Sequence, residues 1–166
     1  MPEKETLERA QEDAREGKSP STQAGEFVKE EMEHIREGKH GARSTKQVIA
    51  IGLSKARRAG VKLPAPKQSK ASEATRQKAE RDLSRGQRPA RKKSAKRSRA
   101  VGGALKREDR SAASRASLSK QARRAARQRG SAARKEAARK AVRTKGLLER
   151  SQAARKAAGT RQRRAA

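Results

Sequence analysis

The segment Ser44-Thr45-Lys46-Gln47-Val48-Ile49-Ala50-Ile51-Gly52-Leu53-Ser54-Lys55-Ala56-Arg57-Arg58-Ala59-Gly60 carries the marks of a single helix from start to stop. Ser44 and Gln47 fit a capping box, with Ser at the N-cap and Gln three positions on. Val48, Ile49, Gly52, Leu53, Ala56 and Ala59 recur at helical spacing and form one apolar face. Arg57 and Arg58 fall in the last turn, where the helix dipole favours cations. Gly60 supplies a left-handed stop, Val61 the apolar residue that follows it, and Pro64 and Pro66 prevent continuation.

Reading back toward the N-terminus, Ser19-Pro20 gives an N-cap followed by Pro at the first helical position. Ala24, Phe27, Val28, Met32 and Ile35 follow at helical spacing, and Gly38 closes the helix. The tetrapeptide Arg-Glu-Gly-Lys occurs at 15–18 and again at 36–39, and both copies read as helix ends with a left-handed Gly. Residues 3–16 predict a further, charged helix with a thin stripe of Leu7, Ala10 and Ala14. The fold class expected is therefore mostly α, with a short helical hairpin at about 19–60 after a charged helix at 1–18. Phe27, Val28, Met32, Ile35, Val48, Ile49 and Leu53 are its expected packing residues. So small a hairpin buries little, which predicts a homodimer or a protein partner through 19–60.

Beyond residue 60 the composition changes. Of 19 large apolar residues, 12 lie in the first 63 positions and seven in the remaining 103. Ordering a residue costs about 1–2 kcal/mol of backbone entropy, which so few apolar side chains cannot offset. Residues 61–106 accordingly read as a basic, disordered linker. Residues 107–166 read as an Ala/Arg-rich repeat tail, disordered or helical on binding. Ala137-Ala138-Arg139-Lys140-Ala141 recurs 16 residues later as Ala153-Ala154-Arg155-Lys156-Ala157. The expected fold thus ends in a largely disordered basic tail with helix-prone segments.

The charge follows the same division. Residues 1–60 hold 12 Lys/Arg and 11 Asp/Glu, whereas 61–166 hold 35 and 7, so nearly all of the net +29 sits after the hairpin. A long cationic segment suits a polyanion, and each phosphate it neutralises releases counterion. The expected partner is nucleic acid, DNA in preference to RNA. The candidate binding residues are Arg91, Lys92, Lys93, Lys96, Arg97, Arg99, Arg123, Arg124, Arg127, Arg134, Lys135, Arg139, Lys140, Arg155 and Lys156. No aromatic residue follows Phe27, so stacking on bases is excluded and the binding expected is indifferent to sequence. Lys46, Gln47, Arg57 and Arg58 read as solvated helix surface rather than a base-reading face.

Other chemistry finds little support. There is no Cys, hence no disulfide and no thiolate metal site. No apolar run reaches the roughly 20 residues of a membrane span. The acidic N-terminus lacks a signal-peptide apolar stretch. Gly17-Lys18-Ser19 resembles the end of a P-loop, but Glu12 stands where that motif needs Gly, so it reads as a helix stop. His34 and His40 are the only histidines, and metal binding would need further ligands. The carboxylates of the first 37 residues alternate with Lys and Arg as helix-surface pairs do. The chain is read as non-enzymatic, with no catalytic residue, cofactor or metal.

Residues 26–41 and 44–60 together resemble an uncharacterised bacterial family of short basic proteins carrying a domain of unknown function. The resemblance covers about 19–66 and implies a bacterial protein with no assigned activity. The Ala/Lys/Arg repeats are similar to histone-H1-like tails. The function expected is sequence-nonspecific nucleic-acid binding in the cytoplasm, at the bacterial nucleoid. The alternatives are a protein–protein adaptor or stress-response regulator acting through 19–60, and an RNA- or ribosome-associated protein.

Overall fold

A computed structural model describes residues 2–88, 94–144 and 146–165. These residues are helical, with no strand among them: α1 (Lys4–Arg15), α2 (Pro20–Arg36), α3 (Thr45–Arg58), α4 (Glu73–Gly86), α5 (Ala95–Lys106), α6 (Arg115–Gln128), α7 (Gly130–Thr144) and α8 (Leu147–Ala165). Short 3-10 turns occur at Gln68–Lys70 and Ser111–Ala113. The chain divides into two units, Met1–Gln121 and Ala122–Ala166.

The first unit is built on the hairpin that the sequence marks out. Ser44 Oγ accepts from the Gln47 N–H at 3.3 Å, and Gln47 Oε1 reaches back to the Arg43 N–H at 2.9 Å. Gly17, Gly38 and Gly60 end α1, α2 and α3 with φ of +71°, +80° and +97°. All three ends are Schellman motifs: Lys18, Lys39 and Val61 N–H groups return to the carbonyls of Asp13, His34 and Ala56. Helices α2 and α3 cross closely because Gly52 has no side chain. A Cβ there would stand 2.7 Å from Val28 Cα.

Two small cores flank this crossing. Ala10, Ala24, Phe27, Ala56 and Val61 form one, with Leu7, Leu53 and Leu63 against it. Ile35, Ala42, Val48, Ala112 and Ala113 form the other, with Met32 against it. Of the expected packing residues, Phe27, Ile35 and Val48 are fully buried, and Val28, Met32, Ile49 and Leu53 are half-buried. The cores draw on residues outside the hairpin. Helix α1 lies along α2 and α4 along α3, and Ala112 and Ala113 close the second core. Residues outside 19–60 thus take part in burying the apolar faces of the hairpin.

The largely disordered tail is a correction. Residues expected to be unstructured form five helices, α4 to α8. The sequence argument weighed only apolar burial. A helix closes its hydrogen bonds within four residues, and Ala, Arg and Lys have high helix propensity, which favours helix even where little apolar surface is buried. Serines begin several of these helices: Ser72, Ser94 and Ser114 hydroxyls accept from the N–H groups of Thr75, Arg97 and Ser117. Two segments also dock on the hairpin. Asp82 of α4 accepts from Ser54 Oγ at 2.6 Å and Arg58 Nε at 2.7 Å. Around the Ser111–Ala113 turn, Thr45 Oγ1 donates to Ala112 O at 2.7 Å and Arg36 Nε to Ala113 O at 3.2 Å.

The second unit is of different character. It takes in the C-terminal part of α6 together with α7 and α8, and its described side chains are nearly all exposed. Gly130, with φ of +74°, opens α7 just after the end of α6.

Candidate functional site

The cationic residues come first. Twelve of the fifteen predicted nucleic-acid contacts are described, and all twelve are exposed on helices. Lys96, Arg97 and Arg99 lie on α5. Arg123, Arg124 and Arg127 lie on α6, within about one turn of a single face. Arg134, Lys135, Arg139 and Lys140 lie on α7, and Arg155 and Lys156 on α8. Arg91, Lys92 and Lys93 lie outside the described residues. The helices carry these groups at intervals along the sequence. Within the first unit, extensive helix packing among the described residues is that of α1 on α2, α2 on α3 and α3 on α4. Over 122–166 there are 16 Lys/Arg against two Glu, a net +14.

Basic residues near the hairpin have structural partners. Arg57 is buried and donates to Leu63 O at 3.1 Å and Pro64 O at 3.2 Å. Arg58 pairs with Asp82, and Lys18 with Asp13 at 2.7 Å. Arg57, expected at the solvated surface, is instead buried, whereas Arg58 is exposed as expected and pairs with Asp82 from there. Lys46 is exposed.

A second constellation was not anticipated. Glu30 and Glu31 are successive residues of α2, and both are 1% exposed. Lys55 of α3 lies between them, with Nζ 2.9 Å from Glu30 Oε1 and in contact with Glu31 Oε1. Glu30 also accepts from the Glu3 N–H at 3.1 Å. Burial disfavours its charged form, yet the hydrogen bonds from Lys55, Glu3 and Thr6 hold its carboxyl below the ordinary range.

On the other side, Glu31 faces two imidazoles. His34 Nδ1 is 3.7 Å from Glu31 Oε1, and His40 Nε2 is 3.5 Å from Glu31 Oε2. The rings meet edge to face with centroids 6.0 Å apart. Each ring is anchored at its remote nitrogen. His34 Nε2 bonds Glu3 Oε1 at 2.8 Å, and His40 Nδ1 bonds Gly41 O at 3.0 Å. Glu3 is also bonded by Lys39 at 2.9 Å. His34 first, and then Lys39, bring the Glu3 carboxyl down to about 2.

Backbone turns assemble this cluster. Glu31 and His34 share a face of α2 by their three-residue spacing. The Schellman turn at Gly38 folds the chain back and brings His40 beside them. The next residues are buttressed from the 105–113 segment: Gly41 N–H donates to Leu105 O, and Ala42 N–H to Asp109 O, both at 2.9 Å. A side chain at Gly41 would collide with the Glu108 carbonyl. The sequence signal was Glu-x-x-His at 31–34 followed by His40 across a Gly turn, overlooked because Glu31 was counted as helix surface.

Residues 17–68 match the model of a family of unknown function, DUF6496. The match spans α2, α3 and the side chains of Glu30, Glu31, His34, His40 and Lys55, and agrees with the resemblance read at 19–66 to an uncharacterised domain. It leaves out Glu3 and everything beyond residue 68. No curated protein and no solved structure matches the chain. Among the described residues no helix is long and apolar enough to cross a membrane.

Proposed function

We propose that the chain binds nucleic-acid backbone phosphates without sequence preference, through the cationic faces of α5 to α8. The observation that carries this reading is the exposure of all twelve described candidate residues on helices with a 16-to-2 excess of cations over 122–166. Arg and Lys on exposed helices meet phosphate oxygens with charge-assisted hydrogen bonds. Order already present in these helices reduces the entropy lost on binding. The absence of aromatic residues beyond Phe27 supports backbone contact rather than base stacking. We place the protein at the bacterial nucleoid, with a tail that works as histone-H1-like tails do.

The test is binding of the full chain to duplex DNA over a salt series. The logarithm of affinity should fall by about 0.9 per phosphate contacted for each decade of salt. Affinity that hardly changes with salt would overturn the reading. The same titration with double-stranded RNA decides between the two nucleic acids.

A further inference from the structure

The geometry points to a binding site for a first-row divalent transition-metal ion, held by Glu31, His34 and His40. It stands on residues apart from the cationic helices and does not depend on the nucleic-acid reading. One ligand atom from each of the three residues lies within 4.8 Å of the other two.

Three features carry the assignment. The first is spacing. The nitrogen–oxygen separations of 3.5 and 3.7 Å are too long for hydrogen bonds. Two ligands each about 2.0–2.2 Å from a tetrahedral zinc ion lie about 3.3–3.6 Å apart, which His40 Nε2 and Glu31 Oε2 meet; His34 Nδ1 is 3.7 Å from the other oxygen, Oε1, and the three ligand atoms lie within 4.8 Å of one another. The second is tautomer. The Gly41 carbonyl can only accept, so His40 keeps a proton on Nδ1, and Nε2 is the ring nitrogen that faces Glu31. The Glu3 carboxylate likewise takes the Nε2 proton of His34 and leaves Nδ1 facing Glu31. The third is support: carboxylate and carbonyl acceptors on the remote nitrogens are the outer partners that metal-ligating histidines have.

The charges are compatible. Glu3, Glu30 and Glu31 meet the ammonium groups of Lys39 and Lys55, which leaves a negative remainder. Lys55 contacts Glu31 Oε1 and also bonds Glu30, so the ammonium keeps a partner when Glu31 ligates through Oε2. Imidazole and carboxylate without thiolate select zinc, nickel, iron or copper over the hard cations. Three ligands leave one tetrahedral position for water. Bound there, the ion ties the end of α2 to the His40 turn.

The experiment is calorimetric titration of zinc chloride into the metal-stripped full chain at neutral pH, alongside His40→Ala and Glu3→Gln. Wild type should bind one ion. His40→Ala should weaken binding at least about tenfold, and Glu3→Gln about 10–100-fold. Circular dichroism checks that both variants keep their helices. Nitrogen NMR of the ring signals gives a second readout, since the chain has only two histidines and no Cys. Zinc should shift His34 Nδ1 and His40 Nε2 and leave the other two ring nitrogens protonated. No saturable binding, equal binding by His40→Ala, or ligation through the opposite nitrogens would each overturn the assignment.

Discussion

Lys55 Nζ bonds Glu30 Oε1 at 2.9 Å across the α2–α3 crossing, joining a half-buried ammonium to a carboxylate that is 1% exposed. The same ammonium contacts Glu31, so one cation serves two buried anions. Removing a single partner from such a group leaves charge buried without compensation. Lys55→Ala should therefore destabilise the first unit by about 3–5 kcal/mol, measured by urea unfolding. Lys55→Arg should lose much less, because its guanidinium keeps the charge. Equal losses in the two variants would mean that packing, not charge, is what Lys55 supplies.

The approach of the 105–113 segment to Gly41 sets a second expectation. Gly41→Ala drives a methyl into the Glu108 carbonyl and must displace that segment. We expect a loss of about 1–3 kcal/mol, the ordinary range for overpacking. Hydrogen exchange should locate the change. The Ala42 amide, which donates to Asp109 O, should lose protection well before the amides within α3.

Asp82 of α4 is 3% exposed and accepts from Ser54 and Arg58 of α3. Arg58 is nearly half exposed, so the ion pair itself contributes modestly. Asp82→Ala should cost about 1–3 kcal/mol, mostly from hydrogen bonds lost in a buried setting. Limited trypsin digestion should then cut within α4, at Arg81 and Arg85, faster than in wild type.

On α7, replacing Arg134, Lys135, Arg139 and Lys140 by Gln together removes four charges while keeping good helix formers. The slope of log affinity for duplex DNA against log salt should become shallower by up to about 3.6. Far-UV circular dichroism should be nearly unchanged. An unchanged slope would place the phosphate contacts on other helices.

The hairpin was legible from residue types because its signals are local. Ser44, Gln47 and the three stop glycines act within a few residues of their own positions, and the apolar spacing of Phe27, Ile35 and Val48 repeats with the helix turn. Helices α4 to α8 escaped the same reading. Apolar burial was taken as the condition for order, whereas propensity and serine capping act without it.

Taken by itself, the sequence determined where α1, α2 and α3 begin and end, how the charge divides along the chain, and that the chain has no Cys and no aromatic residue after Phe27. Tertiary structure alone decided what meets across distance. It placed Glu3 against His34, Lys55 between Glu30 and Glu31, Asp82 under Arg58, and Ala112 over Thr45. Those pairs are separated by 24 to 67 positions. Charged residues on a helix read as surface until a neighbouring helix covers them, and no local pattern states which neighbour that is. The buried Glu31 and the two imidazoles facing it follow from that covering.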